Sequence, residues 1–308
     1  MASSPESAPA SAIDTGRSAV RRPPSGLLRD LTRSRSAMIG GVVLFLMVSA
    51  CFVFPFVWGA SATGTDLLAR FLPPVWSEGG TWAHPLGTDN LGRDVLSRIL
   101  AGGQVSLMVA FLTVMVALTV GLILGTLAGY FGGWVDAVIM RTGDLFLAYP
   151  FMLLTISVIA ILGPSLTNLI LVLALSDWVT YARTVRGSVL SVREREYVAA
   201  ARSIGTGDAE ILRRHILPNV LSPVLVLGTV RAANYIIWES GLSFLGMGVP
   251  PPTPTWGMML SEGRDYILDA WWLATLPGIA IMITILSVNL LGDGLRDALD
   301  PRLKETRR

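Results

Sequence analysis

The chain has 308 residues, of which 52% are hydrophobic and only 15% charged, and its mean hydropathy is +0.59. Soluble domains carry roughly 25% charge, so this composition points to a polytopic membrane protein embedded in lipid and argues against an ordinary soluble domain. The net charge of +2 says little about partners and calls for no nucleic acid, and the single cysteine, Cys51, excludes a disulfide framework.

Residues 1–36 are rich in Ser, Ala, Pro and Arg, too polar to pack, and predict a disordered cytosolic tail with no secretory signal. Lipid offers no partner to an unpaired backbone group, so crossing its core of about 30 Å takes roughly 20 apolar residues in a helix. Six segments meet that need: 38–58, 105–131, 145–162, 166–182, 220–245 and 270–291. The third and fourth are short, and "GPS" at 163–165 separates them as a tight turn.

Between the first two spans, "HPLGTDNLGRDVLSR" at 84–98 gathers Asp89, Arg93 and Asp94. It reads as a solvated loop leading into a helix start. On the second span, Gly121, Gly125 and Gly129 form a double G-x-x-x-G. Small residues at that spacing let two helices approach closely; whether the neighbour lies in this chain or another subunit is open. Four polar residues fall at membrane depth, Asp177 on the fourth span and Arg231, Asn234 and Glu239 on the fifth. Such residues are costly in lipid and face a cavity or a partner. Arg231 lies roughly 17 Å along its span at about 1.5 Å per residue, a depth comparable to that of Asp177. The two can form an internal ion pair or line a translocation path. Glu239 lies about 12 Å farther out, too far to join them.

The fourth and fifth spans are joined by "EYVAAARSIGTGDAEILRRHILPN" at 196–219, a polar insert that reads as helix, turn, helix. Tyr197, Ala201 and Ile204 recur as one narrow apolar stripe. Gly205 stands where a helix C-terminus needs a left-handed residue. A second helix opens with Asp208 and Glu210, closes with Arg213, Arg214 and His215 in keeping with the helix dipole, and is stopped by Pro218. Glu210 and Arg214 make a favourable i, i+4 pair. The run Ala199-Ala200-Ala201 leaves a face nearly bare of side chains. The insert is shaped either as a docking elbow for a partner or as an amphipathic helix on the lipid surface. At the end of the chain, "GDGLRDALDPRL" predicts a short charged helix.

The basic residues orient the spans. With a cytosolic N-terminus, the inner segments hold 19 Lys and Arg against four in the main outer loops. Both termini and the 196–219 insert are therefore expected inside, in a multi-pass protein of the cell membrane.

"EYVAAARSIG" followed by "ILRRHILPN" resembles the cytosolic EAA motif of permease subunits in bacterial ATP-binding-cassette importers. "HPLGTDNLGRDVLSR", "ARTVRGSVLSVREREYVAAAR", "ESGLSFLGMGVPPPTPTWG" and "NLLGDGLRDALDPRL" resemble, more narrowly, the C-type permease of the dipeptide/oligopeptide/nickel family. The resemblance runs from about residue 36 to 303. It implies an all-α integral membrane subunit with six transmembrane helices in the type I importer permease fold. The first helix and external loop would occupy 37–103, the permease core 104–293, and a cytosolic tail 294–308. The elbow would be the coupling helix that docks on an ATPase, with Glu196, Ala199, Ala200, Ala201, Gly205, Asp208, Ile211, Leu212 and Pro218 at or shaping the contact. The partners implied are a homologous permease, cytosolic ATPases, and an extracellular or periplasmic solute-binding protein. The 84–98 loop and the Trp256 region are then candidates for docking that protein or for packing on the sister subunit. Peptides are the expected substrate, with nickel, haem and glutathione as alternatives.

No catalytic role is expected. A P-loop needs a lysine on the phosphates, and the single lysine, Lys304, follows "DPRL". ATP and Mg²⁺ are therefore expected on the partner ATPase, with no cofactor in this subunit. His84 and His215 fall on opposite sides of the membrane, and no metal-ligand cluster exists. Ser243 has no histidine at membrane depth to serve as its base. A carrier driven by an ion gradient, the alternative of a different class, calls for inverted repeats, and residues 38–182 and 183–308 have no evident internal symmetry.

Overall fold

The computed structural model describes residues 34–58 and 61–299, and within them the fold is helical. Of the expected tail at 1–36, residues 1–33 lie outside the described residues, as do those after Leu299, while Arg35 and Ser36 already belong to the first helix. In chain order the helices are α1 (Arg35–Trp58), α2 (Val95–Phe131), α3 (Gly133–Leu147), α4 (Phe151–Leu162) and α5 (Leu166–Arg193). The elbow follows as α6 (Glu196–Ser203) and α7 (Asp208–Ile211), then come α8 (Leu217–Phe244), α9 (Trp256–Arg264) and α10 (Trp272–Leu299).

Four stretches are long and apolar enough to cross a bilayer: Arg35–Val53, Val95–Phe131, Asp208–Phe244 and Trp272–Leu299. The α3–α4 pair, bent by 86° at its break, adds a fifth if counted as one span. The helix over the expected fourth span, α5, has 28 residues, but Asn168, Ser176, Asp177, Thr180 and Arg183 dilute its apolarity. Half of it is buried against its neighbours, so few of its positions meet lipid and polar ones are tolerated.

The expected third span, 145–162, is not one helix. Pro150 has no N–H to donate and disfavours helical geometry in the residue before it, so the chain turns at 148–150 and restarts at Phe151. The "GPS" turn behaves as its residues dictate. Gly163 takes φ +82°, and the Ser165 hydroxyl caps α5 by accepting from the Asn168 N–H at 3.1 Å. The second span starts at Val95 rather than 105, because the Asp94 carboxylate caps its first turn, accepting from the Ser97 N–H at 2.8 Å. At its other end the last span runs unbroken to Leu299, since Gly292 and Gly294 pack against Thr229 and Ala37 instead of ending the helix.

The glycines of α2 find their neighbour inside this chain. A Cβ on Gly121 would lie 2.3 Å from the Tyr181 Cβ, one on Gly125 2.4 Å from the Ala182 carbonyl, and one on Gly129 2.8 Å from the Val189 Cβ. All three contacts are on α5. This close pair anchors a core of Ala117, Tyr181, Val185, Val189, Val198 and Ile211 that runs into the elbow. A second core, around Cys51, Trp256 and Trp272, gathers at the opposite end of α2. Outward, Phe45, Phe111, Ile161 and Met282 stay exposed, as a lipid-facing surface requires.

Candidate functional sites: the elbow and the intramembrane polar residues

At the elbow, α6 ends as its sequence predicts. Gly205 has φ +79°, its N–H donates to the Arg202 carbonyl at 3.1 Å, and the Thr206 N–H donates to the Ala201 carbonyl at 3.1 Å. These are the two bonds of a Schellman cap. Of the expected stripe, however, only Ala201 lies on the buried side of α6, where Val198 joins it; Tyr197 is 40% and Ile204 83% exposed. Packing against the ends of α2 and α5 claims positions i and i+3, and Ile204 lies past the last helical residue, where it turns outward. Glu196, Ala199 and Ala200 are exposed on the outer side.

Pro218 does not stop the second helix. It sits in the first turn of α8, where a missing N–H is tolerated. The chain reaches it through a π turn over Leu212–Ile216, with the Leu217 N–H donating to the Leu212 carbonyl. Ile211 is fully buried and Leu212 half-buried. Glu210 pairs with Arg214, and with Arg213 at 3.2 Å. Asp208 points back toward the bundle, where its carboxylate accepts from the Tyr130 hydroxyl at 2.6 Å. The Arg202 guanidinium lies 5.7 Å from the same ring, and Arg193 donates to the Tyr130 carbonyl at 2.9 Å. Tyr130 thus ties the elbow to the end of α2. Nothing in its local sequence marks it for that task, because the contact exists only once α2, α5 and the elbow meet.

At membrane depth, Asp177 and Arg231 stand side by side, with Nη1 3.5 Å from Oδ1. Asp177 also accepts from the Tyr235 hydroxyl and the Thr180 hydroxyl, each at 2.8 Å. Asn234 is half-buried one turn beyond Arg231. Glu239 is fully buried and separate from them, accepting from the Ser243 hydroxyl at 2.7 Å and the Ser240 hydroxyl at 3.5 Å, both on α8. Ser243 is occupied in that bond.

The 84–98 stretch is not a solvated loop. Asp89, Asp94 and Arg98 are buried at 4%, 3% and 2% exposure. Asp89 accepts from the Arg93 side chain at 2.6 Å and pairs with Arg98, while Glu262 on α9 accepts from Arg98 at 2.7 Å and Arg93 at 3.2 Å. Burial works to raise the Asp89 carboxyl, but the backbone N–H groups of Arg93 and Leu91 and the charge of Arg98 outweigh it, holding the carboxyl below its ordinary value. Asp94 takes His84 at 3.1 Å. Trp256 is also internal, its indole donating to the Ile99 carbonyl at 2.8 Å. Glu262 was silent in the sequence, since 169 residues separate it from Arg93.

Among the described residues no group of three or more His, Cys, Asp or Glu is placed to hold a metal.

Residues 121–305 match the family described as the binding-protein-dependent transport system inner membrane component, and residues 26–74 match the N-terminal TM domain of oligopeptide transport permease C. The dipeptide transport system permease protein DppC of Escherichia coli (strain K12) is 46% identical over 277 residues, covering 89% of this chain and 91% of that protein. The di/tripeptide transport system permease protein DppC of Pseudomonas aeruginosa (strain UCBPP-PA14) is 42% identical over 268 residues, covering 86% and 88%. The glutathione transport system permease protein GsiD of Pectobacterium atrosepticum is 41% identical over 285 residues, covering 92% and 93%. Among solved structures, a chain of the inward-facing MetNI methionine ABC transporter aligns with a TM-score of 0.53 at 17% identity, over 66% of this chain and 96% of that one. That likeness is one of fold.

Proposed function

This chain belongs to the inner-membrane permease family of binding-protein-dependent, ATP-binding-cassette importers, and we propose that it is the subunit through which di- and oligopeptides cross the membrane. The observation that carries the substrate is its identity to peptide permeases along nearly the whole chain. A second reading, glutathione, draws on the similarly related GsiD, and glutathione is itself a tripeptide.

The family works with an ATPase and a solute-binding protein. In our reading the subunit pairs with a homologous permease, two cytosolic ATPases hold ATP and Mg²⁺, and this chain contributes no catalytic group. The excess of basic residues in the segments assigned inside supports cytosolic termini and a cytosolic elbow. The outer side of α6, with Glu196, Ala199, Ala200 and the exposed Ile204, is the face offered to the ATPase. Gly205, Asp208, Ile211, Leu212 and Pro218 hold that face in position. ATP closes the ATPase pair, the elbows move with it, and the spans open outward. Only a difference in affinity between the two states drives the cycle.

The elbow tests this. In the reconstituted complex with its companion subunits, Gly205→Pro, which cannot adopt φ +79°, and Glu196→Lys are expected to assemble and hydrolyse ATP. Peptide uptake should fall about tenfold or more, the scale of a lost coupling of about 1–3 kcal/mol. Normal uptake in both variants refutes the coupling role.

A further inference from the structure

We propose that the Arg231 guanidinium takes the C-terminal carboxylate of a transported peptide, with Asp177 as its internal counter-charge and not a substrate-reading group. The inference rests on the peptide-import reading above and adds a specificity residue to it.

The two members of the pair are unequally placed. The Asp177 side chain is 6% exposed and the Arg231 side chain 23%. Asp177 is engaged on both oxygens from within the bundle, Oδ2 by the Tyr235 hydroxyl and Oδ1 by the Thr180 hydroxyl, each at 2.8 Å. It has little capacity left for the ammonium of a substrate. Arg231 has five N–H donors and makes a single long approach to Asp177, 3.5 Å from Nη1. Among the described residues its guanidinium has no hydrogen-bond partner. A guanidinium facing hydrocarbon in that state is too costly to persist, so its open side faces inward in the assembly, toward the path between the paired permeases.

The neighbours of Arg231 suit a peptide. Arg231, Asn234 and Trp238 recur at i, i+3 and i+7 on α8 and are all half-buried, so they form one strip. The guanidinium lies 6.0 Å from the Trp238 ring, and that ring lies 4.0 Å from Phe151 on α4. The three positions span about two turns of α8, roughly 10 Å, and the Arg231 side chain reaches to 6.0 Å from the indole, so a cation and an aromatic surface lie side by side with an amide on the same strip. They complement a terminal carboxylate together with the peptide bond and apolar side chain next to it. Arginine binds a carboxylate through two parallel N–H bonds. The adjacent Asp177 charge competes for the guanidinium and keeps the hold weak, as a site that must release its cargo requires.

Saturation-transfer NMR on the assembled permease–ATPase complex, without the binding protein, reads such weak contact directly, with tri-alanine and its C-terminal amide as probes. Wild type is expected to give a signal at least about fivefold stronger for the acid than for the amide, a charge-assisted pair against a neutral contact. Arg231→Gln should bring the two signals level. If that variant does not assemble, Arg231→Lys, which keeps the charge but loses the fork, should lower the ratio at least twofold. Equal signals in wild type, no signal from either probe, or a ratio unchanged in the variant that assembles each overturns the assignment. Uptake of tri-alanine by the wild-type complex with its binding protein is measured alongside. If uptake is present, such a failure belongs to Arg231 alone; if it is absent, the peptide-import reading fails and the assignment falls with it.

Discussion

Asp89 is the residue on which the non-elbow end of the bundle turns. It binds two arginines and two backbone N–H groups while nearly buried. Removing one member of a buried charge cluster strands the others, at a cost of about 3–5 kcal/mol. Glu262 still contacts Arg98 at 2.7 Å, so Asp89→Ala belongs at the lower end, about 3 kcal/mol, read as a fall in thermal midpoint of the detergent-solubilised protein. The pH dependence has a definite sign. The folded carboxyl lies below the unfolded value of about 3.9. Its stabilisation is therefore complete above that value and is lost as the pH falls through the folded pKa. The gap in midpoint between wild type and Asp89→Asn should be constant from neutral pH down to about 5 and shrink below about 4. A gap that widens with acid contradicts this account. The carboxylates and arginines of 84–98 were legible as a charged cluster, but not as a buried one, because the partner that closes it, Glu262, comes from a distant helix.

Among the helices, the α2–α5 pair is held by close approach of the two backbones. Gly125→Ala would put a methyl 2.4 Å from the Ala182 carbonyl, and backbone cannot step aside as a side chain can. Overpacking of this kind costs about 1–3 kcal/mol. Gly228 on α8 is the control: a methyl there meets Leu118 and Val114 at an ordinary 3.5 Å, so Gly228→Ala should be neutral or stabilise by about 0.5–1 kcal/mol. Unfolding both variants in detergent separates them, and equal behaviour would mean that the glycines serve something other than this contact. The spacing of Gly121, Gly125 and Gly129 announced a helix partner without naming it. The apolar stripe on α6 misled for a related reason. A helix of eight residues presents two or three apolar positions on several faces, and only the surface it meets selects Val198 and Ala201 over Tyr197 and Ile204.

Across the whole molecule, α2 joins the two ends. Its first turn is locked by Asp94 and the Asp89–Arg98–Glu262 cluster, and its last carries Tyr130, bonded to Asp208 of the elbow. A 37-residue helix is about 55 Å long, longer than a hydrocarbon core of about 30 Å, so it reaches across the bilayer with residues to spare. In the coupling role proposed above, displacement of the elbow pulls on the helix that also reaches the far side. In the assembled complex, Tyr130→Phe removes one hydrogen bond to a charged group, worth about 1.5–3 kcal/mol. It should leave assembly and basal ATP hydrolysis intact while cutting the stimulation by loaded binding protein up to about tenfold. Unchanged stimulation would show that the Tyr130 bond has no part in the proposed coupling.

The sequence by itself determined the solvent the chain lives in, the existence and order of most spans, the Gly163 and Gly205 turns, and the elbow between two apolar helices. Each of these follows from local chemistry: hydropathy over about 20 residues, a missing Cβ, a charge beside a helix end. It also brought Asp177 and Arg231 to one depth. Tertiary structure alone decided that Asp177 turns inward while Arg231 keeps an open side. The same holds for the full burial of Glu239 apart from that pair, α5 receiving the glycines, and Pro218 beginning a helix rather than ending one. Those outcomes depend on which surfaces meet across the bundle. No run of neighbouring residues encodes a contact between positions 58 or 169 apart.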